Sequence, residues 1–282
     1  MYYGIIYIII LLFAVYTFNY PKTKYFEKMK IVIFIILVFT SGLRFETAVD
    51  FYAYVRIFES METINNLFNY NLSGFFIAYP GEVGFTILNS LVKSLVDNVQ
   101  VLFFIISLFT TTLLFKSLSL YIPRKTFFLS LLLYYVFIFF ILDMSGIRQG
   151  IALNIVFYAI SKLEKSDVLK FMICVFIASL FHISAALFLL APIFLNINPN
   201  KKKLLAFIII GLVVFIFRIR WLNLVIDAIY SIFSENYFVA RLYNYTTSTA
   251  VYAKERPIFI MLFVNLLLYL FSLRVKDKYL VD

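Results

Sequence analysis

The sequence predicts an all-α protein whose helices cross a membrane many times. Three observations carry this. Mean hydropathy is +0.96, with 63% of residues hydrophobic and only 14% charged, against about 25% charged in a soluble domain. The apolar runs, such as 129–142, do not alternate as barrel strands do. A chain in lipid must satisfy its backbone internally, so such runs read as helices. Finally, lysines and arginines recur in short loops between the runs, the pattern that orients membrane helices. The whole of 1–282 reads as one transmembrane domain.

Taken in order, the apolar runs fall near 3–18, 31–43, 99–115, 127–142, 147–161, 168–181, 183–197, 204–217 and 258–273. They predict about nine spans, several shorter than the ~20 residues of an ideal one. Short helices are tolerated where they are buried in protein or line a cavity, so a polar interior is expected. The first run lacks a basic leader and an Ala-x-Ala cleavage site, and reads as a retained span. Five basic loops punctuate the chain: Lys22, Lys24, Lys28 and Lys30; Lys116, Arg124 and Lys125; Lys162, Lys165 and Lys170; Lys201 to Lys203; Arg274, Lys276 and Lys278. If all face the cytoplasm, the N-terminus lies outside and the C-terminus inside.

Two stretches, 44–98 and 218–257, then lie on the outer side. Phe51, Tyr54, Val55 and Phe58 share one face of a helix. From Glu82 onward, Glu82, Thr86, Asn89 and Lys93 form one stripe, and Phe85, Leu88, Val92 and Val96 another. These read as interfacial helices, apolar side down. If 82–97 crossed instead, everything after it would invert. The interfacial reading keeps all five basic loops on one side.

Composition also excludes classes. A net charge of +10 suggests nucleic acid in a soluble protein, but here the charge sits in orienting loops. Cys174 is the only cysteine and His182 the only histidine, so neither a disulfide within the chain nor a structural zinc site is expected, and haem is disfavoured. The sequence has no internal repeat, P-loop or G-x-G-x-x-G fingerprint. The 20% aromatic share fits interfacial tyrosines and core phenylalanines; platforms for stacking sugars are the other explanation.

Polar residues able to do chemistry gather on the predicted outer side. Arg44, Glu46 and Asp50 follow the second span, and a helix there would put Glu46 and Asp50 on one face. Asp143, Arg148 and Gln149 lie between two spans, Arg148 beside the Gly146/Gly150 spacing that brings helices together. His182 separates two short apolar runs. Arg218, Arg220, Arg241 and Arg256 are spread over the last outer stretch. Arginines outside run against the charge rule, and binding an anion accounts for them, because a guanidinium fork matches two phosphate oxygens. Each also has a structural explanation: snorkelling for the arginines, capping for Asp50, a hydrogen-bonded core role for His182.

In order along the chain stand Arg44-Phe45-Glu46 with Asp50 and Tyr54, then Glu82-Val83-Gly84-Phe85, Arg148-Gln149-Gly150-Ile151-Ala152, and Phe181-His182-Ile183-Ser184-Ala185. The ordered set resembles the EpsG family of bacterial exopolysaccharide and capsule proteins, related to the Wzy polymerases. Where that family usually has Gly-Thr-Asp-Tyr, this chain has Ala48-Val49-Asp50-Phe51, and its Glu-Pro-Gly-Phe reads Glu82-Val83-Gly84-Phe85.

The resemblance implies a GT-C-like helical glycosyltransferase of the bacterial cytoplasmic membrane, joining repeat units carried on undecaprenyl diphosphate for exopolysaccharide, capsule or O-antigen. It implies no cofactor and no metal. The partners it implies are lipid-linked oligosaccharide, membrane lipids and other polysaccharide-export proteins, and not nucleic acid. Such a reaction needs a grip on the leaving group, a base for the acceptor hydroxyl and a groove for the lipid tail. His182, Asp50 and Arg148 are then the catalytic candidates, with His182 as base and Asp50 as orienter, since imidazole ordinarily titrates near 6.5 and Asp near 3.9. Arg44, Glu46, Glu82, Gln149 and Arg241 are the substrate-binding candidates. Three rivals stay open: a flippase for the same lipids, a membrane acyltransferase with His182 as base, and a structural partner in a synthase complex.

Overall fold

A computed structural model describes residues 2–67, 69, 82–164, 167–192, 227–232, 234, 239–240 and 243. The chain forms two compact units, Met1–Asn196 and Ile197–Asp282. Every regular element among the described residues is helical. In the second unit, residues 227–232 are helical, and the Tyr230 and Tyr243 rings stack with centroids 4.2 Å apart. The expected spans 204–217 and 258–273 lie outside the described residues.

The first unit opens with α1 (Tyr2–Asn19) and α2 (Phe26–Gly42). Short helices α3 (Phe51–Glu59) and α4 (Ile64–Leu67) follow, then α5 (Val83–Leu95). The long α6 (Val99–Tyr121) starts at Asn98, whose side chain accepts a hydrogen bond from the Gln100 amide. Helix α7 (Phe127–Tyr134) runs straight into a π-helical segment, Tyr135–Ser145. Then come α8 (Ile147–Glu164), α9 (Val168–Phe181) and a 3-10 segment, Ile183–Leu190, with which the expected span 183–197 begins. Among the described residues, three stretches, Tyr2–Asn19, Val99–Tyr121 and Phe127–Ser145, are long and apolar enough to cross a membrane. Helix α2 falls one residue short of that length, and α9 is shorter still at 14 residues.

Two clusters hold these helices. One joins Phe51, Tyr54 and Phe58 of α3 to Phe85, Phe103, Ile151 and Phe171 of α5, α6, α8 and α9. The other joins α1 and α2 to the far half of α6, to α7 and to the π segment, around Phe127, Phe128 and Phe139. In lipid, burying a leucine from acyl chains gains little, so close packing and polar contacts between helices matter more. Between α2 and α6 both occur. The Ser41 and Ser107 hydroxyls lie 2.5 Å apart, and Ser107 also donates to the Val38 carbonyl at 2.9 Å. A side chain at Gly42 would meet Phe104 at 2.9 Å. Contacts of this kind contribute about 0.6 kcal/mol each, reaching roughly 1.7.

The bundle has two chemically different ends. At one, Tyr2 bonds Thr40 at 2.9 Å and Gln100 donates to the Gly42 and Arg44 carbonyls at 2.7 and 3.1 Å. At the other, Lys30 donates to Ser119 at 3.0 Å, Arg124 pairs with Glu27 at 3.5 Å, and Lys125 lies over Phe18. The lysine-rich loops 20–30 and 122–126 therefore share one end, as their charge pattern predicts.

The stretch between α2 and α3 is not helical, because Glu46 and Ala48 have φ of 50° and 84°. Glu46 and Asp50 consequently do not stack on one helix face. Ala48 stands where the family resemblance has glycine, and its left-handed backbone is the conformation glycine adopts without steric cost.

Candidate active site

Three elements deliver one side chain each to the same place. Glu82 is the residue before α5, Arg148 lies in the first turn of α8, and His182 follows the last turn of α9. Glycine makes the approach possible. A Cβ on Gly84 would sit 2.9 Å from the Leu180 carbonyl oxygen, so only glycine lets the start of α5 lie against the end of α9. Likewise a Cβ on Gly150 would sit 2.9 Å from the Leu142 oxygen, which seats α8 on the π segment and aims Arg148. The result is a carboxylate shared between a cation and an imidazole: one Glu82 oxygen pairs with Arg148 Nη1, and the other faces His182 Nδ1 at 3.2 Å.

Glu82 is the deepest of the three, its side chain 14% exposed against 33% for Arg148 and 27% for His182. Burial alone would raise its pKa. The hydrogen bond from His182 and the Arg148 charge outweigh that and draw it down to about 2. An ionised carboxylate only accepts, so His182 Nδ1 must carry the proton it donates. In a neutral imidazole so bonded, the lone pair is on Nε2, where it can take a proton from another group.

Tyr54 completes the floor. Arg148 lies over its ring at 5.8 Å and over that of Phe85 at 5.9 Å. The Tyr54 hydroxyl is raised by burial, against the pull of Arg148, and stays a donor at neutral pH. Asp50 stands at the N-cap position of α3, yet its side chain caps nothing; instead Ser145 donates to it at 3.4 Å. Both Asp50 and Arg148 act electrostatically on Tyr54, so Asp50 flanks the cluster.

Arg44 is placed differently. It is 3% exposed, with its guanidinium 4.0 Å over the Phe103 ring. Nη1 donates to the Ser41 and Asp143 carbonyls at 3.1 and 2.9 Å, while Nε and Nη2 have no hydrogen-bond partner among the described residues. Burial lowers its pKa to about 10, which leaves it charged at neutral pH. Tyr54 acts electrostatically on both Arg44 and Arg148. Beneath Arg44, Asp143 accepts from the Tyr134 hydroxyl at 2.5 Å, and Asn154 reaches that hydroxyl at 3.4 Å.

Of the residues singled out from sequence, then, Arg148, Glu82 and His182 meet, Asp50 borders them, and Arg44 is buried against Phe103. Glu46 is exposed and hydrogen-bonds Tyr52, and Gln149 is exposed beside Gly146. Arg241, with Arg218, Arg220 and Arg256, lies outside the described residues. Sequence reasoning missed Ser145, the Tyr134–Asp143 pair and the place of Tyr54 in the site. Only the Tyr54 signal was available, as the polar tip on an otherwise apolar helix face.

The EpsG family model matches residues 27–281. The chain belongs to the EpsG family. That match covers nearly the whole sequence, and the family is one of Wzy-like polysaccharide polymerases. This EpsG protein is therefore an all-α membrane protein of polysaccharide synthesis. No curated protein and no solved structure matches it.

Proposed function

We propose that this EpsG protein joins oligosaccharide repeat units carried on undecaprenyl diphosphate, by glycosyl transfer at the outer face of the bacterial cytoplasmic membrane. One observation carries the reading: Arg148 and His182, on different helices, meet on one ionised carboxylate. A phosphate-matching guanidinium beside a base held in a single tautomer is what such a transfer needs. His182 Nε2 takes the proton of the acceptor hydroxyl as its oxygen bonds to the anomeric carbon of the donor. The bond from that carbon to the diphosphate breaks, and the departing oxygens carry the charge that Arg148 meets. Asp50 orients the acceptor hydroxyl, and the buried Arg44, its guanidinium on Phe103, adds fixed positive charge without touching the substrate. A flippase needs no base, so the Glu82–His182 pair favours group transfer over transport. His182 sits at the end away from the lysine loops, which disfavours a cytoplasmic acyl donor.

The test is incubation of purified protein with synthetic lipid-linked repeat units and separation of the products by size. A polymer ladder is expected, lost in His182→Ala and restored in part by added imidazole. No ladder from well-folded native protein, or a full ladder from His182→Ala, overturns the reading.

A further inference from the structure

The lysine-rich end carries a second constellation that the transfer reaction does not use. Lys116 of α6 and Lys162 of α8 lie on the same ring, their Nζ atoms 4.7 and 5.0 Å from the centroid of Tyr158. Both are also in reach of its hydroxyl. Three other cations at this end have carboxylates in contact: Glu27 serves Lys30 and Arg124, and Asp167 serves Lys170 at 2.7 Å while acting on Lys162 only from a distance. Lys116 and Lys162 have none within 4 Å among the described residues. Two ammonium groups on one ring repel, and the ring's quadrupole attracts each without neutralising either. An anion lying between them removes that repulsion and finds three donors, two ammonium groups and a phenol.

The surroundings point to the kind of anion. Lys116 stands five residues before the end of α6 at Tyr121, about 7.5 Å along the helix axis. Its apolar stem can carry the charge to headgroup level. It lies on the lipid-facing stripe of α6, with Leu120 one turn beyond and Leu108 and Phe109 two turns before, all exposed. A phosphate there has room for acyl chains beside it. Basic clefts between membrane helices hold lipid headgroups in this way. We infer that Lys116, Tyr158 and Lys162 form a binding site for the phosphodiester of an anionic phospholipid.

The purified full chain, titrated with short-chain phosphatidylglycerol or phosphatidylcholine and read by native mass spectrometry, tests this. Phosphatidylglycerol is expected to bind in preference. Each lysine changed to glutamine should weaken it about fivefold, with Lys116→Arg/Lys162→Arg retaining affinity and Lys22→Gln/Lys24→Gln changing it less. Equal retention of the two lipids overturns the proposal, as does native affinity in a folded Lys116→Gln/Lys162→Gln protein. Displacement of the lipid by an equal concentration of inorganic phosphate also overturns it, in favour of a free-phosphate site.

Discussion

A carboxylate that is largely out of water stays ionised only when neighbouring charge and hydrogen bonds outweigh the loss of hydration, and Glu82 has both. Glu82→Gln keeps the shape but removes the charge, so the imidazole loses its anionic anchor and Arg148 its partner. Turnover is expected to fall about 100-fold, chiefly in kcat, as steady-state rates of polymer formation would show. The same pair links stability to pH. A carboxylate depressed from 4.5 to about 2 adds stability that is present in full above 4.5 and lost as pH falls through about 2. The melting-temperature deficit of Glu82→Gln should therefore shrink on acidification across that window. At Arg148, lysine retains charge without the fork, and a loss of about 100-fold in ladder formation is expected for Arg148→Lys. Near-native activity there would remove Arg148 from the diphosphate grip. Ala48, at φ 84°, gives the opposite kind of prediction. Ala48→Gly relieves the left-handed strain and should stabilise by about 1 kcal/mol, seen as a raised melting temperature with activity unchanged.

Between elements, two glycines set the geometry on which the site depends. Gly84 lets α5 touch the end of α9, and Gly150 lets α8 touch the π segment. A methyl group at Gly84 meets backbone rather than a flexible side-chain tip, so α5 must shift, carrying Glu82 away from His182. Gly84→Ala should therefore cut activity more than it cuts stability, which parallel melts and ladder assays on one preparation would separate. The π segment is the element least readable in advance. Its i→i+5 bonding, continued by the Gly146 amide to the Ile141 oxygen at 2.8 Å, turns Asp143 toward Tyr134 and its carbonyl toward Arg44. Apolar runs such as 135–142 fit an α-helix equally well, so nothing local distinguishes the two.

Across the first unit, the Glu82–Arg148–His182 cluster and the lysine loops occupy opposite ends. The charge rule predicts a cytoplasmic lysine end and an outer cluster, as the proposed function requires. Single cysteines in a Cys174→Ser background check this from intact cells with an impermeant maleimide. A cysteine at Asn66 should label and one at Arg124 should not; the reverse pattern would put the site on the cytoplasmic side and overturn the proposed transfer at the outer face.

By itself, the sequence determined that this is a helical membrane protein, where its first helices run, and which loops share an end. Those features follow from the hydropathy and charge of each segment alone, and lipid enforces them segment by segment. The polar outliers Arg148, Glu82, His182 and Asp50 were legible too, because a charge beside an apolar run is costly wherever it sits. Tertiary structure alone decided that Glu82 joins Arg148 to His182, that Tyr54 lies under the Arg148 guanidinium, and that Arg44 turns inward onto Phe103. Residues tens of positions apart have no local term linking them; their meeting depends on which helix faces pack, and here that is set by glycines where an added Cβ would come within 2.9 Å of a neighbouring carbonyl oxygen.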